Sequence, residues 1–347
     1  MGVTDIETRG RADAPDDSGA GQPVLDVRGL RVEFKLRLGT VHAVAGLSYS
    51  VQRGETVAIV GESGSGKSVA ARAVFGVNPP TAKVTDGQAL LLGEDMVTAS
   101  EARRRQLRGE RIAMISQNSS LNPTFTVGWQ VAEPFRVHRG MSRRDAMGKA
   151  AELMDRVGIP QAKSKMDNYP YQFSGGMRQR VSIAMAMALQ PAVLIADEPT
   201  TALDVTVQAQ IMALLADMQD ENGMGLVLIT HDLGLVAENA DRVVVMYAGR
   251  EFETGEVESV FTRPAHPYTL SLLRSAPDID TKRHRLDPIQ GSPPDLMWVP
   301  AGCPFHPRCH LATDKCATDV PAPRQVAEQR WSSCHRADEV FGGNDGR

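Results

Sequence analysis

The segment Gly61-Glu62-Ser63-Gly64-Ser65-Gly66-Lys67-Ser68 places glycine, lysine and a hydroxyl at the spacing G-x-x-x-x-G-K-[ST], directly after the apolar run Thr56 to Val60. Glycines at that spacing let the backbone wrap closely enough for its N–H groups to point inward at a β-phosphate. Lys67 then supplies a point charge to the β and γ oxygens, and Ser68 is left to ligate Mg²⁺. From Ser68 the chain runs through Val69, Ala70, Ala71, Arg72, Ala73 and Val74, a helix whose positive N-terminal end faces the phosphates. Strand, loop and helix in this order imply nucleotide binding. Further along, Val193-Leu194-Ile195-Ala196-Asp197-Glu198 is an apolar strand ending in two carboxylates. That suits Asp197 for holding a Mg²⁺ shell and Glu198 for polarising an attacking water, although an acidic pair at a strand end also caps helices. Gln117 follows the strand-like run Ile112 to Ser116, where a long neutral amide can reach the metal or the water and sense a γ-phosphate.

The elements that position these residues are legible in the hydropathy pattern. Val24 to Phe34 alternates apolar and polar, and a second alternating run, Val41 to Val51, follows the turn Leu38-Gly39-Thr40, as expected of antiparallel strands with one solvated face. The Arg-rich segment 101–111 reads as an exposed helix. Residues 130–165 show helical periodicity without strand signals until Gly158 and Pro160, so a helical subdomain is expected over about 118–185. Strand-like runs return at Val193 to Ala196, Leu226 to Thr230 and Val243 to Tyr247, with helices between them around 175–189 and 205–221. That alternation predicts a parallel α/β core. After Thr254-Gly255 proline becomes frequent and all four cysteines of the chain follow, so a boundary is placed at 255: a larger domain over 24–255 and an extension over 256–347.

Composition bounds the rest. The 347 residues are 42% hydrophobic, ample for a packed core, and a net charge of −4 gives no reason to expect nucleic acid as a direct partner. The longest uncharged apolar stretch, between Arg180 and Asp197, is divided by Gln190-Pro191, so no transmembrane helix is expected. Residues 1–23 carry no apolar core segment and read as a disordered tail of a cytosolic chain.

Phe173-Ser174-Gly175-Gly176-Met177 resembles the signature loop, L-S-G-G-Q, of ATP-binding cassette (ABC) proteins. Ser174, Gly175 and Gly176 keep a hydroxyl and exposed N–H groups at a helix start, able to grip a γ-phosphate; Met177 in place of glutamine removes a polar contact. Thr201-Ala202-Leu203-Asp204 resembles the family's D-loop, and His231, after the strand ending at Thr230, resembles its switch histidine. The resemblance covers about residues 24–255 and implies a P-loop ABC nucleotide-binding domain: a parallel core sheet, an antiparallel β subdomain and a helical subdomain. It further implies that two cassettes face head to tail around two ATP molecules, each held by the phosphate loop of one and the signature loop of the other. Phe34 is the aromatic candidate for stacking on adenine, and the surface around Gln117, Asn122 to Gln130 and the helical insertion is where such proteins receive their membrane subunits.

Arg263-Pro264-Ala265-His266-Pro267-Tyr268-Thr269 resembles the segment that follows the cassette in oligopeptide and dipeptide permease ATPases. Cys303, Cys309, Cys316 and Cys334 then follow at gaps of five, six and seventeen residues, a layout those subunits share. Four thiols in a reducing compartment argue for metal rather than disulfides. Tight C-x-x-C knuckles are absent, and the resemblance points to a [4Fe-4S] cluster; zinc, with His306, His310 and His335 nearby, and unliganded thiols stay open. The resemblance thus implies the energy-coupling ATPase of a peptide importer, working at the cytoplasmic face of the membrane. Its partners would be a second, similar ATPase subunit in a heterodimer, two transmembrane permease subunits and an extracytoplasmic substrate-binding protein. A nickel or glutathione importer of the same family and a soluble, non-transport cassette ATPase are the alternatives.

Overall fold

The computed structural model describes residues 21–117, 121–201, 203–275 and 288–343. Most of the tail expected at 1–23, the first residues of the helical subdomain expected from 118, and Ala202 lie outside the described residues. The alternating N-terminal runs form β1 (Leu25–Leu36) and β2 (Gly39–Val51), antiparallel neighbours joined at Leu36 and Gly39. β3 (Thr56–Val60) is buried along its whole length and leads through the glycine-rich loop into α1 (Lys67–Phe75). β4 (Ala82–Leu91) and β5 (Glu94–Asp95) complete a four-stranded antiparallel sheet of order β2-β1-β4-β5.

After α2 (Glu101–Glu110) and β6 (Ile112–Ile115) comes the helical insertion, α3 (Val127–Arg139) and α4 (Arg143–Arg156). Both helices start on a hydroxyl that accepts a backbone N–H of the first turn: Thr126 from Trp129 and Ser142 from Asp145. α5 (Gly175–Met187) returns the chain to β7 (Val193–Asp197), and α6 (Val205–Asn222), β8 (Gly225–Ile229), α7 (Leu233–Asn239) and β9 (Arg242–Tyr247) alternate as the sequence predicts. β3, β9, β8, β7 and β6 pair in parallel, with β3, which leads into the glycine-rich loop, between β8 and β9. One face of this sheet packs on the helical insertion, α5 and α6, through residues such as Val131, Met154, Ile183 and Ile211. The opposite face packs on α1 and the antiparallel sheet.

The sheet does not stop where composition changes at 255. β10 (Arg250–Glu256) crosses that point antiparallel to β9, followed by α8 (Val257–Thr262), α9 (Pro267–Ser275) and α10 (Asp314–Thr318). β11 (Arg324–Ala327) and β12 (Arg330–Ser332) then extend the sheet to the order β11-β12-β10-β9-β3-β8-β7-β6, before the last helix α11 (Ala337–Gly342). Added strands cover what would otherwise be an unpaired edge at β10. The His-Pro-Tyr segment is core: the His266 ring stacks on Phe252 at 4.4 Å, and Tyr268 meets Phe305 edge-on at 5.3 Å. Beside it Arg330 and Glu253, 2% and 0% exposed, form an ion pair at 2.7 Å, and Glu253 also accepts the N–H of Ala265.

The two sheets meet at Glu251, whose Oε2 accepts the Ser48 N–H at 3.3 Å. Burial pushes this carboxyl up to about 7 from its usual 4.5, and the Ser48 N–H and the Arg242 charge offset only part of that. A carboxyl raised on folding contributes stability that is full below its unfolded pKa and is lost as pH rises through the folded value. Glu251→Gln, neutral at every pH, is therefore expected to gain on the parent chain by about 1.4 kcal/mol per pH unit crossed between about 4.5 and 7. Urea unfolding at about pH 5 and about pH 8 measures this, and the same difference at both would exclude titration of Glu251 as the cause.

Candidate active site

Because β3, β8, β7 and β6 run in parallel, whatever follows each strand emerges at one edge of the sheet. The register fixes the alignment: Ile59 lies beside Ile229, Ile229 beside Asp197, and Ala196 beside Ile115. The loop 61–68 after β3, Asp197 and Glu198 at the end of β7, His231 after β8 and Gln117 after β6 are thereby brought together.

The loop adopts a form only glycine permits. Gly61 and Gly66 have φ of 147° and 101°, and a Cβ on either would stand 2.1 Å from the Met246 carbonyl oxygen or 2.2 Å from that of Ala43. Lys67 is 6% exposed, and its Nζ donates to the carbonyls of Gly61 at 2.7 Å and Glu62 at 2.9 Å. Burial pulls the ammonium below its usual pKa, opposed by the charges of Glu198, Asp197 and Glu62. Ser68 Oγ donates to Asp197 Oδ1 at 2.8 Å. Asp197 is fully buried, which raises its pKa against the pull of Ser68 and Arg72, and its Oδ2 has no hydrogen-bond partner among the described residues. A hydroxyl beside a buried carboxylate oxygen in need of a cation is a donor set that suits Mg²⁺.

Glu198 has φ of 51°, a left-handed conformation strained for a residue with a side chain, and its N–H is held by the Ile229 carbonyl at 2.8 Å. Its Oε2 accepts from Gln117 Nε2 and Thr201 Oγ1, both at 2.8 Å, and its Oε1 lies 3.3 Å from His231 Nδ1. Burial raises its pKa, but the bonds to Thr201 and His231 and the charges of His231 and Lys67 outweigh that and hold the carboxyl below the usual range. An ionised carboxylate fixed by three side chains can orient water and receive its proton. Gln117 and His231 therefore meet at Glu198, as sequence spacing alone did not reveal. Thr201 is the donor that sequence reasoning passed over; its signal was its place three residues after Glu198.

The remaining candidates stand apart. Ser174 caps α5 by accepting the Met177 N–H at 3.3 Å, and a Cβ on Gly176 would lie 2.8 Å from Val207. Ser174, Gly175 and Gly176 share no hydrogen bond with the loop 61–68 among the described residues. Asp204 caps α6 by accepting the Val207 N–H at 2.9 Å. Phe34 is half-buried and packs on the core beneath the antiparallel sheet, paired with Val41 and Ala82. Cys303, Cys309, Cys316 and Cys334 all line one small cavity under His266 and Phe305. Burial pushes the Cys303 thiol up to about 11 and that of Cys334 up to about 12. Among the described residues no group of three or more His, Cys, Asp or Glu side chains is arranged to hold a metal ion. His306 Nδ1 and His335 Nε2 each face a backbone carbonyl, of Cys303 and Asp319, at 2.9 and 3.0 Å. No helix among the described residues is long and apolar enough to cross a membrane.

Residues 44–201 match the family model "ABC transporter", and residues 252–316 match "Oligopeptide/dipeptide transporter, C-terminal region". The chain is 48% identical over 314 residues to the dipeptide transport ATP-binding protein DppD of Escherichia coli K12, covering 90% of this chain and 96% of that one. It is 46% identical over 321 residues to the Bacillus subtilis protein of the same name, covering 92% and 96%. Among solved structures, a dimeric ATP-binding cassette in a post-hydrolysis state with ADP and phosphate superposes with a TM-score of 0.61 at 26% identity, over 67% of this chain and 98% of that one.

Gly66→Ala tests the loop geometry. An added methyl both meets the Ala43 carbonyl and strains the φ of the residue that opens α1, so ATP affinity is expected to fall at least about tenfold while the fold survives. Calorimetric titration with MgATP reads it; unchanged affinity would mean that the loop's curvature is not what binds phosphate.

Proposed function

The chain belongs to the ATP-binding cassette transporter family, and from that premise we propose a division of labour in which it hydrolyses ATP to drive import of oligopeptides or dipeptides. The hydrolytic half rests on one observation above all: Glu198 is ionised, strained and gripped by Gln117, Thr201 and His231, one residue from the Asp197–Ser68 pair. In this reading the N–H groups of residues 61–68 cradle the β-phosphate, Lys67 neutralises the γ oxygens, and Phe34 stacks on adenine. Mg²⁺ bound with the nucleotide would offset charge on the β and γ oxygens. Ser68 and the unpartnered Asp197 oxygen would hold it, with Gln117 alongside. Glu198 orients water for in-line attack and takes its proton, and His231 fixes that carboxylate. Because Ser174, Gly175 and Gly176 sit apart from the loop of their own chain, they are free to grip a γ-phosphate held by a second cassette, with Asp204 at that junction.

The same reading supplies a second ATPase subunit, two transmembrane permease subunits docked on the surface from Asn122 to the helical insertion, and an extracytoplasmic binding protein. That places the chain at the cytoplasmic face of the membrane. The stacked Phe125 and Trp129 rings, 4.4 Å apart and with Phe125 43% exposed, give that surface an aromatic anchor. For the extension we infer a [4Fe-4S] cluster on Cys303, Cys309, Cys316 and Cys334. The four thiols line one shared cavity, and Cys₄ ligation of iron and sulfur accepts spacings without the C-x-x-C knuckles usual for structural zinc. Its contribution there would be a structural cross-link of the chain between α9 and α11.

Two measurements test this reading. Glu198→Gln keeps size and hydrogen bonds but removes the charge, so hydrolysis should drop at least about a hundredfold while MgATP affinity stays within about twofold. Normal turnover would remove Glu198 from the role of base. The full chain purified without oxygen should carry about four irons with labile sulfide. Zinc, or no metal, in that preparation would withdraw the cluster and leave the ATPase untouched.

A further inference from the structure

The phosphate loop is fastened to the C-terminal extension through one residue, Glu62. Its carboxylate accepts both terminal nitrogens of Arg308, Nη1 at 2.6 Å and Nη2 at 3.0 Å. Its N–H donates to Tyr268 Oη at 2.9 Å, and its carbonyl accepts from Lys67 Nζ at 2.9 Å and from the Ser65 N–H at 3.2 Å. Every polar group of Glu62 is thus committed, two of them to residues more than 200 positions away in sequence.

The two distant partners are rigid. The Arg308 side chain is 6% exposed; its Nε donates to the Gln290 carbonyl at 2.8 Å, its Nη1 also to Tyr247 Oη at 3.1 Å, and its guanidinium lies over the Phe305 ring. Tyr268 is fully buried among Tyr247, Phe252 and Phe305. A bidentate fork held at both ends fixes direction as well as distance, which a lysine ammonium cannot do. Glycine-rich loops lose much entropy when they order around a ligand, so any contact that orders the loop beforehand is returned as affinity.

We propose that Arg308 and Tyr268 are positioning residues for nucleotide binding: they hold Glu62, and through its carbonyl the Lys67 ammonium, in the arrangement that the phosphates meet. Arg308 closes the single turn His306–Arg308, which is flanked by Phe305 and Cys309 and whose His306 N–H donates to the Cys303 carbonyl at 2.9 Å. The cysteine-lined end of the extension therefore sets the backbone from which this clamp reaches the ATP site. The inference rests on the reading of residues 61–68 as the phosphate cradle.

The test is a double-substitution cycle on the full chain, read as the Kd for MgATP. Arg308→Met and Glu62→Gln should each weaken binding about tenfold, and the double variant no more than the weaker single, because both remove one interaction. Arg308→Lys should recover part of the loss. Tyr268→Phe removes only the hydroxyl that accepts the Glu62 N–H; it should weaken binding about threefold, and it decides the matter if Arg308→Met fails to fold. A pair that merely stabilises the extension would lower the melting temperature and leave Kd within about twofold, which overturns the proposal. Lys67→Ala separates the two readings. If it abolishes binding while the Arg308, Glu62 and Tyr268 variants bind like the parent, the clamp is wrong and the cradle stands; if it binds normally, the cradle itself is wrong.

Discussion

The parallel register of four buried strands is the constraint on which the rest depends. β3, β7 and β8 are buried at every position and β6 at all but Met114, so none can slip by a residue without turning its side chains into the opposite layer. With register fixed by burial, the four strand ends lie side by side, and the polar residues just beyond them have no choice but to converge. The chemistry is carried by loops and termini, but apolar packing of Val, Ile, Leu and Ala decides where those loops begin. An eight-stranded sheet with helices on one face and an antiparallel sheet on the other gives that packing two independent sides.

At the strand ends, two adjacent carboxylates are driven apart in character by their surroundings. Asp197 belongs to the strand and is sealed from solvent, so burial dominates and leaves one oxygen seeking a cation. Glu198 is the first residue beyond the strand, turned into a left-handed conformation whose cost is borne by its bond to the β8 carbonyl. There it collects partners from just beyond β6, from its own turn and from just beyond β8, and remains ionised. Carboxylates with opposite shifts in one site signal separate roles, in the proposed function cation holding and water activation.

Much of this was legible in the sequence because the decisive signals are local. The glycine spacing in 61–68, the apolar run ending at Asp197 and the alternation of 25–51 each identify an element within one window, and each element lies where that window placed it. What escaped has a physical reason. β4 mixes Asp86 and Gly87 into its apolar run, so its period of two is broken. β11 and β12 are four and three residues long, too short to show a period; β12 reaches back across the composition change at 255 to pair with β10, and β11 pairs in turn with β12. His266 marks a family by sequence but in space is a core ring stacked on Phe252. The bonds of Glu62 to Tyr268 and Arg308 span 206 and 246 residues, and no spacing rule reaches that far.

The extension is therefore part of the machine rather than an appendage: its strands finish the sheet and its tyrosine and arginine reach the phosphate loop. The central claim, that this ATPase spends nucleotide on moving peptides, is tested most directly by hydrolysis in the assembled system. The chain would be reconstituted in lipid with the permease subunits, second ATPase subunit and binding protein proposed for it, and phosphate release followed as peptide is added. The account predicts slow hydrolysis without peptide and a several-fold rise, saturating with dipeptide or oligopeptide and absent for free amino acids. A rate indifferent to peptide, or the full rate from the chain with no membrane partner, would contradict it.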